Sequence, residues 1–319
     1  MTTEFDIIRK YFSRPAPSAV LGVGDDCALL RPREGVLLAL STDMLLAGRH
    51  FLPDADPDKL GHKALAVNLS DLAAMGADPR WAMLAIAFPE ANEEWIASFA
   101  DGFFRLAGRW KVELIGGDTT RGALTIAITV IGEVPPGLAL RRDSALAGDD
   151  IWLSGATGEA ALALAHLEGR VRLEDAGRDA CLARLHVPDP RIELGVRLRG
   201  IARSAIDVSD GLLADLGHIL EASGVGADLE WESLPRAPAI ATCRDEALAN
   251  DCLLAGGDDY ELVFTAPPTR RGEIESLAKE LALPLTRIGA IVRGKPETRV
   301  RDGRGKVVPV RRKGFDHFE

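Results

Sequence analysis

Six times along the chain an apolar run closes on small residues and then on an acid. The segments are VGDD (23–26), LSTD (40–43), NLSD (68–71), IGGD (115–118), DVSD (207–210) and AGGDD (255–259). The aliphatic stretches before these acids are short enough to be strands, and patterns of helical period lie between them. Such a chain folds as mixed α/β, with acids gathered where strands and helices end. Taken singly, each Asp also suits a turn or a helix cap, because its short side chain bonds nearby backbone N–H groups.

The element reading follows from this punctuation. CALL and VLLALSTDM (36–44) read as strands, and 58–76 as a helix with Ala64, Leu65, Val67, Leu69, Leu72 and Met75 as apolar positions. WAMLAIAFP (81–89) reads as a strand, 92–110 as a helix capped by Asn92, and VELIGGD (112–118) and ALTIAITVIGEV (123–134) as strands. PPG at 135–137 breaks the pattern, so domains of 1–140 and 141–319 are expected. In the second half IWLSG (151–155), YELVFTAP (260–267) and TRIGAIV (286–292) read as strands. Helices are expected from Gly158 to Leu167 and over 188–199, and 204–224 reads as strand, turn and helix. The two halves are loosely alike, each with an SD before a helix and a later GGD. The 319 residues, 47% of them hydrophobic, suffice for two cores.

Charge and motifs narrow the chemistry. A formal net charge of −10 argues against nucleic acid or an anionic membrane surface as a partner. The opening MTTEFDIIRKYF carries early acids and no apolar core, and no stretch has the ~18–20 apolar residues of a membrane span, so a cytoplasmic location is expected. The four cysteines, Cys27, Cys181, Cys243 and Cys252, form no CxxC pair and no zinc-ligand spacing. GxxxxGK[ST], HExxH, GxSxG and the protein-kinase signatures are absent, and GVGDDC fails GxGxxG at its last position. What remains is a set of Asp residues with neighbouring glycines, which suits Mg²⁺ and phosphate: hard oxygen ligands for the cation, and backbone that can approach an anion without a Cβ between.

LGVGDDCALL, LALSTDML with AGRHF, KALAVNLSDLAAMGADP, LIGGDTTRG, AIDVSDGLLADLGHI, AGGDDYELVFT and KGFDHF resemble, in that order and from end to end, the thiamine-monophosphate kinases. These belong to the aminoimidazole ribonucleotide synthetase-like superfamily, which binds ATP without a P-loop. The resemblance implies an α/β fold of α+β type with mixed sheets in two domains. It implies a homodimer whose N-terminal strands close into a barrel, and a C-terminal domain that completes the nucleotide and substrate site. It implies ATP-dependent phosphorylation of thiamine monophosphate to thiamine diphosphate, by direct in-line transfer with several Mg²⁺ ions.

Residue by residue, the resemblance assigns Asp26, Ser41, Thr42, Asp43, Asp71, Asp118, Asp207 and Asp210 to the metals. Gly117, Asp118, Arg142 and Ser209 go to ATP, and His50, Asp258 and Phe315 to thiamine monophosphate. Asp43, Asp118 and Arg142 carry the catalysis, and Asp25 neighbours the ligand Asp26. Two positions depart from the family habit: Asp258 stands where Glu is common, and Phe315 where Tyr or Trp is common. The alternative is a sibling synthetase such as selenophosphate synthetase, against which the lack of any Cys before Cys27 counts. An acidic metal-binding scaffold would show an EF-hand loop, and none is present.

Overall fold

The computed structural model describes residues 3–312 and Gly314. The chain divides into two compact units, one of Met1–Leu72 with Ala77–Gly137, the other of Ala73–Gly76 with Leu138–Glu319.

The first unit opens with α1 (Glu4–Ile7), capped by the Thr3 side chain, and a hairpin of β1 (Ala19–Leu21) and β2 (Leu29–Leu30). There follow β3 (Leu37–Leu46), α2 (Pro57–Ala74), β4 (Asp78–Phe88), α3 (Glu93–Trp110), β5 (Glu113–Arg121) and β6 (Thr125–Val134). The sheet runs β3-β6-β4-β5, with only the β4–β5 pair parallel. Asn92 caps α3 as its sequence suggested, its Oδ1 accepting the Trp95 N–H at 3.1 Å. The two long helices meet through glycines. A Cβ on Gly102 would lie 1.8 Å from the Asp58 carbonyl oxygen, and one on Gly61 2.0 Å from that of Phe99. Ile96, Phe99, Phe103, Leu65, Leu69 and Leu72 are fully buried in this unit.

The sheet's two faces differ. In β3, Ala39, Ser41, Asp43 and Leu45 are partly or wholly buried, whereas the alternate residues Leu38, Leu40, Thr42, Met44 and Leu46 are exposed. Register places Met83 of β4 opposite Thr129 and so on that same outer face, and it too is exposed. One end of the face is covered: Trp81, Ile115 and Ile131 pack against Ala16, Ala19, Ala28 and Leu30, and the Trp81 Nε1–H donates to Ser18 Oγ at 2.9 Å.

The second unit holds β7 (Asp150–Ser154), α4 (Glu159–Leu167), α5 (Asp175–His186), α6 (Ile192–Arg197), β8 (Ser204–Asp207) and α7 (Leu212–Ser223). It continues with β9 (Gly226–Glu230), α8 (Pro238–Ala241), α9 (Glu246–Ala255), β10 (Leu262–Ala266), α10 (Arg271–Glu280), β11 (Leu285–Val292) and β12 (Thr298–Arg301). Its sheet order is β12-β9-β11-β7-β10-β8. The strands β7, β10 and β8 are buried at every position, which explains their unbroken apolar reading. Glu261 has no solvent exposure, yet it is fully occupied: it accepts from Ser154 Oγ at 2.5 Å and Arg191 Nε at 2.7 Å, and it pairs with Arg184. No helix among the described residues is long and apolar enough to cross a membrane.

Candidate active site

β3 is an edge strand, so every second backbone N–H points out of the sheet and needs a partner from elsewhere. For Asp43 that partner is Asn68 of α2, whose Oδ1 accepts the N–H at 3.0 Å while its own Nδ2 donates to the Ala64 carbonyl at 2.9 Å. Two residues earlier, Ser41 Oγ donates to Asp71 Oδ2 at 2.5 Å. Ser41, Asp43 and Asp71 are thus brought together by strand alternation and by helix spacing from Asn68 to Asp71. Thr42 is not part of that group through its side chain. It faces the other way, with its hydroxyl 2.8 Å from that of Thr129.

Asp25 and Asp26 lie on the loop joining β1 and β2, both exposed. Asp25 Oδ1 accepts the Asp26 N–H at 2.9 Å, so the first of the paired acids braces the backbone that presents the second. His50 follows β3, and its Nδ1 accepts the Leu46 N–H at 3.1 Å. An accepting Nδ1 puts the proton of the neutral ring on Nε2.

Gly117 sits in β5 with φ of 148°, and a Cβ there would meet the Leu84 carbonyl oxygen at 1.8 Å, so only glycine fits. The next residue, Asp118, is exposed and opposite Ala85. Register carries Asp118 away from Asp43: strands β6 and β4 intervene, and the two side chains belong to opposite faces. Three strand spacings amount to about 14 Å, so one sheet cannot bring Asp43 and Asp118 to a single cation. Arg142 lies in a short 3₁₀ turn whose carbonyl accepts from Ser223 Oγ at 2.7 Å. Its neighbour Arg141 is taken up by Asp143 at 2.5 Å; among the described residues the exposed Arg142 guanidinium has no such partner.

In the second unit Asp207 ends β8, 4% exposed, and the chain then turns through Ser209 and Asp210 into α7. Asp215, on the first turn of α7 and 2% exposed, reaches back to this turn. Its Oδ2 accepts the N–H groups of Ser209 at 3.0 Å, Asp210 at 3.0 Å and Gly211 at 3.1 Å. Burial pushes the Asp215 carboxyl up to about 7, although the three donors favour its ionised form. The other side of the turn is held by residues 257–261. Asp258 and Tyr260 donate their N–H groups to the carbonyls of Ser209 and Val208, each at 2.8 Å, and Val208 donates to the Glu261 carbonyl at 2.8 Å. Both Asp258 (φ 68°) and Tyr260 (φ 52°) are left-handed, a strained state for a bulky residue. The Tyr260 hydroxyl donates to Asp258 Oδ1 at 2.9 Å and so fixes that carboxylate. Between them Asp259 is fully buried, accepting from the Gly158 N–H at 2.8 Å, and burial pushes its carboxyl well above the ordinary range. Phe315 lies outside the described residues; Gly314 before it sits against Ala214 and the Asp210 carbonyl.

Sequence reading missed Asn68, Asp215 and Tyr260. Each lies within a quoted motif, but their role shows only in which backbone groups they reach. Cys181 and Cys252 are buried, and burial pushes both thiols up to about 12, which removes them as nucleophiles.

Among the described residues no group of three or more His, Cys, Asp or Glu side chains is gathered to hold a metal. The donors at the assigned positions are all hard oxygens, with no more than two carboxylates gathered at any of them among the described residues. That set fits Mg²⁺, which binds through one or two carboxylates and completes its octahedron with water and substrate phosphate.

Comparison with known proteins bears on the whole chain. Residues 24–134 match the N-terminal domain of AIR synthase related protein, and residues 147–301 its C-terminal domain. The chain is 46% identical over 322 residues to thiamine-monophosphate kinase of Salmonella typhimurium, covering 99% of this chain and 98% of that protein. It is 33% identical over 327 residues to the Bacillus subtilis protein of the same name, covering 99% of each. Among solved structures, thiamine-monophosphate kinase from Stenotrophomonas maltophilia superposes with a TM-score of 0.85 at 48% identity, over 92% of this chain and 93% of that one. AaThiL complexed with AMPPCP and TMP superposes with a TM-score of 0.79 at 30% identity, over 90% and 89%. A hydrogenase maturation protein, HypE, in complex with ATP shares the fold, with a TM-score of 0.75 at 21% identity over 96% and 93%.

Proposed function

Because the chain belongs to the AIR synthase related proteins, and within them to the thiamine-monophosphate kinases, we propose that it transfers the γ-phosphoryl group of ATP to thiamine monophosphate, giving thiamine diphosphate and ADP. The observation that carries this reading is full-length identity of 46% to a relative of that name. The placement of the acids supports the mechanism.

The nucleophile is a phosphate oxygen, already anionic near neutral pH, so the reaction needs no general base. Its obstacle is repulsion: each close pair of unit charges costs about 4 kcal/mol at 4 Å and an effective dielectric near 20. Bound Mg²⁺ ions would supply the positive charge that offsets this and would polarise the transferring phosphoryl group. Ser41, Asp43 and Asp71 are proposed to hold one such ion and Asp118 another, a division that the strand order between them supports. Asp26, Asp207, Asp210 and the Thr42 carbonyl complete the proposed ligand set. Gly117 brings backbone close to phosphate, Arg142 reaches the phosphates, and Ser209 lies near the nucleotide. His50, whose neutral ring carries its proton on Nε2, is proposed to contact the acceptor phosphate. Asp258, fixed by Tyr260, would face the thiazolium cation, with Phe315 against its rings. Transfer is in line and direct.

A homodimer belongs to the same proposal. Leu38, Leu40, Met44, Leu46 and Met83 are exposed on one face of the first unit's sheet, and β3 is a ten-residue edge. Each such side chain gains about 1.5–3 kcal/mol on burial, and an exposed apolar face beside an edge strand of this length invites packing against a second copy.

The test is a turnover assay with ATP and Mg²⁺, run with thiamine monophosphate, free thiamine and no acceptor. Thiamine diphosphate formed with equimolar ADP from the monophosphate is expected; ATP hydrolysis without that product would overturn the reading.

A further inference from the structure

Arg142 is exposed on a short 3₁₀ turn, Arg142–Ser144, that no strand ladder supports. In such a turn the carbonyl of one residue pairs with the N–H three residues on, here those of Arg142 and Ala145. A side chain from α7 takes both groups: Ser223 Oγ donates to the Arg142 carbonyl at 2.7 Å and accepts the Ala145 N–H at 3.1 Å. Leu140 and Ala145 are buried on either side of the turn. Between them Arg141 pairs with Asp143, inside the turn itself, and among the described residues no other side chain from outside bonds to 141–144. The Ser223 hydroxyl is not spent on its own helix. α7 is capped by Gly224, left-handed at φ 66°, and the N–H groups of Gly224 and Val225 close it on the carbonyls of Glu221 and Leu220.

We propose that Ser223 is a positioning residue for Arg142: its hydroxyl ties the backbone of the turn to the end of α7 and so sets where the Arg142 guanidinium meets the phosphates of ATP. The physical reason is order. The Arg142 guanidinium has no ion pair among the described residues, so its place depends on the backbone that carries it. A long side chain must give up rotamer freedom to hold an anion, and a backbone free to shift adds to what binding has to order. Without the Ser223 hydroxyl the Arg142 carbonyl loses its tie to α7, and the guanidinium is spread over more positions. A hydroxyl that only steadied the end of α7 would change stability and leave the affinity for ATP alone.

The inference rests on the reading of Arg142 as a residue that binds ATP, and the experiment separates the two. Binding of a non-hydrolysable ATP analogue with Mg²⁺ to the full chain is measured by calorimetry, and KM for thiamine monophosphate by turnover. Ser223→Ala removes one hydroxyl at a helix end that Gly224 already caps, and circular dichroism confirms folding. It is expected to weaken the analogue about fivefold, the worth of one hydrogen bond, while KM for thiamine monophosphate stays within about twofold, a split that loss of fold would not give. In an Arg142→Ala background the same substitution is expected to change nothing further, because its effect runs through Arg142. If Arg142→Ala weakens the analogue but Ser223→Ala leaves it at wild-type affinity, or weakens it equally in the Arg142→Ala background, the inference alone is overturned. An Arg142→Ala variant with wild-type affinity overturns the reading of Arg142 and the inference with it.

Discussion

Asp43 and Asp210 are both acids at the ends of small-residue segments, yet the chain holds them by different means. Asp43 stands in a regular strand. Ten register pairs to β6 fix its position, and Asn68 on the facing helix takes its outward N–H. Asp210 stands in a turn with no ladder, fixed by one buried carboxylate and by backbone contacts to a strained segment. The first arrangement spreads its support over many weak bonds, so loss of one leaves the rest in register. The second concentrates support in a few groups. Carboxylates on strands and helices are therefore expected to fail through their own chemistry or through packing, and those on turns through their supporting neighbours.

The largest effect expected on the ladder side is at the carboxylate itself. Asp43→Asn keeps the backbone bond to Asn68 and removes only charge, and should lower kcat at saturating Mg²⁺ by about 10²–10³-fold, the loss typical of one electrostatic group at a transferring centre. Thr42→Val on the same strand is the control. Its side chain lies on the opposite face, bonded to Thr129, so turnover should stay within about threefold of wild type. Equal losses in both would mean that strand alternation does not separate the two residues.

Packing comes next. Asn68 and Asp71 ride on α2, and α2 approaches α3 closely enough that Gly102 has the Asp58 carbonyl where a Cβ would be. Gly102→Ala must push the helices apart or distort them, at about 1–3 kcal/mol or more. Chemical denaturation should show that loss, with a raised Mg²⁺ requirement as α2 carries Asp71 away from Ser41. A destabilised variant with an unchanged Mg²⁺ requirement would show that the ladder alone holds the ligands.

The same cases separate what is legible in the amino-acid sequence from what is not. β3, α2, β4, α3, β5 and β6 follow from alternation, helical period, the Asn92 cap and the Gly and Pro breaks. β4 starts at Asp78, earlier than expected, because Pro79 is tolerated beside a register irregularity before Trp81. α5 is hidden because only Cys181 and Leu185 are buried on it, too few for a period to show. The helix expected over 188–199 is shorter, Ile192–Arg197. Candidate ligands are legible because acids after small residues stand out in the sequence. Asn68, Asp215 and Tyr260 are not, since an amide, an acid or a phenol inside a helix or strand pattern carries no sign of the distant backbone atom or side chain it will reach. The separation of Asp118 from Asp43 is hidden too, because it depends on strand order.

On the turn side a smaller effect is expected at Tyr260. Tyr260→Phe leaves the ring and the left-handed backbone and removes the hydroxyl that donates to Asp258 Oδ1. One such bond is worth about 1 kcal/mol, roughly fivefold. That change should fall on KM for thiamine monophosphate, with KM for ATP unmoved. A matching rise in both would place Tyr260 in support of the whole turn rather than of one carboxylate.

The smallest effect belongs to the ladder side and is read through pH. Arg105 of α3 donates to both oxygens of Asp58 at the start of α2, at 2.6 and 2.8 Å, and these bonds hold the Asp58 carboxyl below its ordinary value. A depressed carboxyl contributes stability that is present above the unfolded value, near 3.9, and that is lost as pH falls through the folded one. Arg105→Gln should therefore be less stable than wild type at pH 7, and the gap should close as pH drops below about 4. The pair is 57% and 34% exposed, so solvent screens it and the gap at pH 7 should be under about 1 kcal/mol. A much larger gap, or one that also raised the Mg²⁺ requirement, would mean that the seat of α2 depends on a single pair, as the turn at Asp210 depends on Asp215. A small gap confined to stability keeps the two regions distinct, because α2 is held by buried packing and by Asn68 whether or not its surface charge is paired.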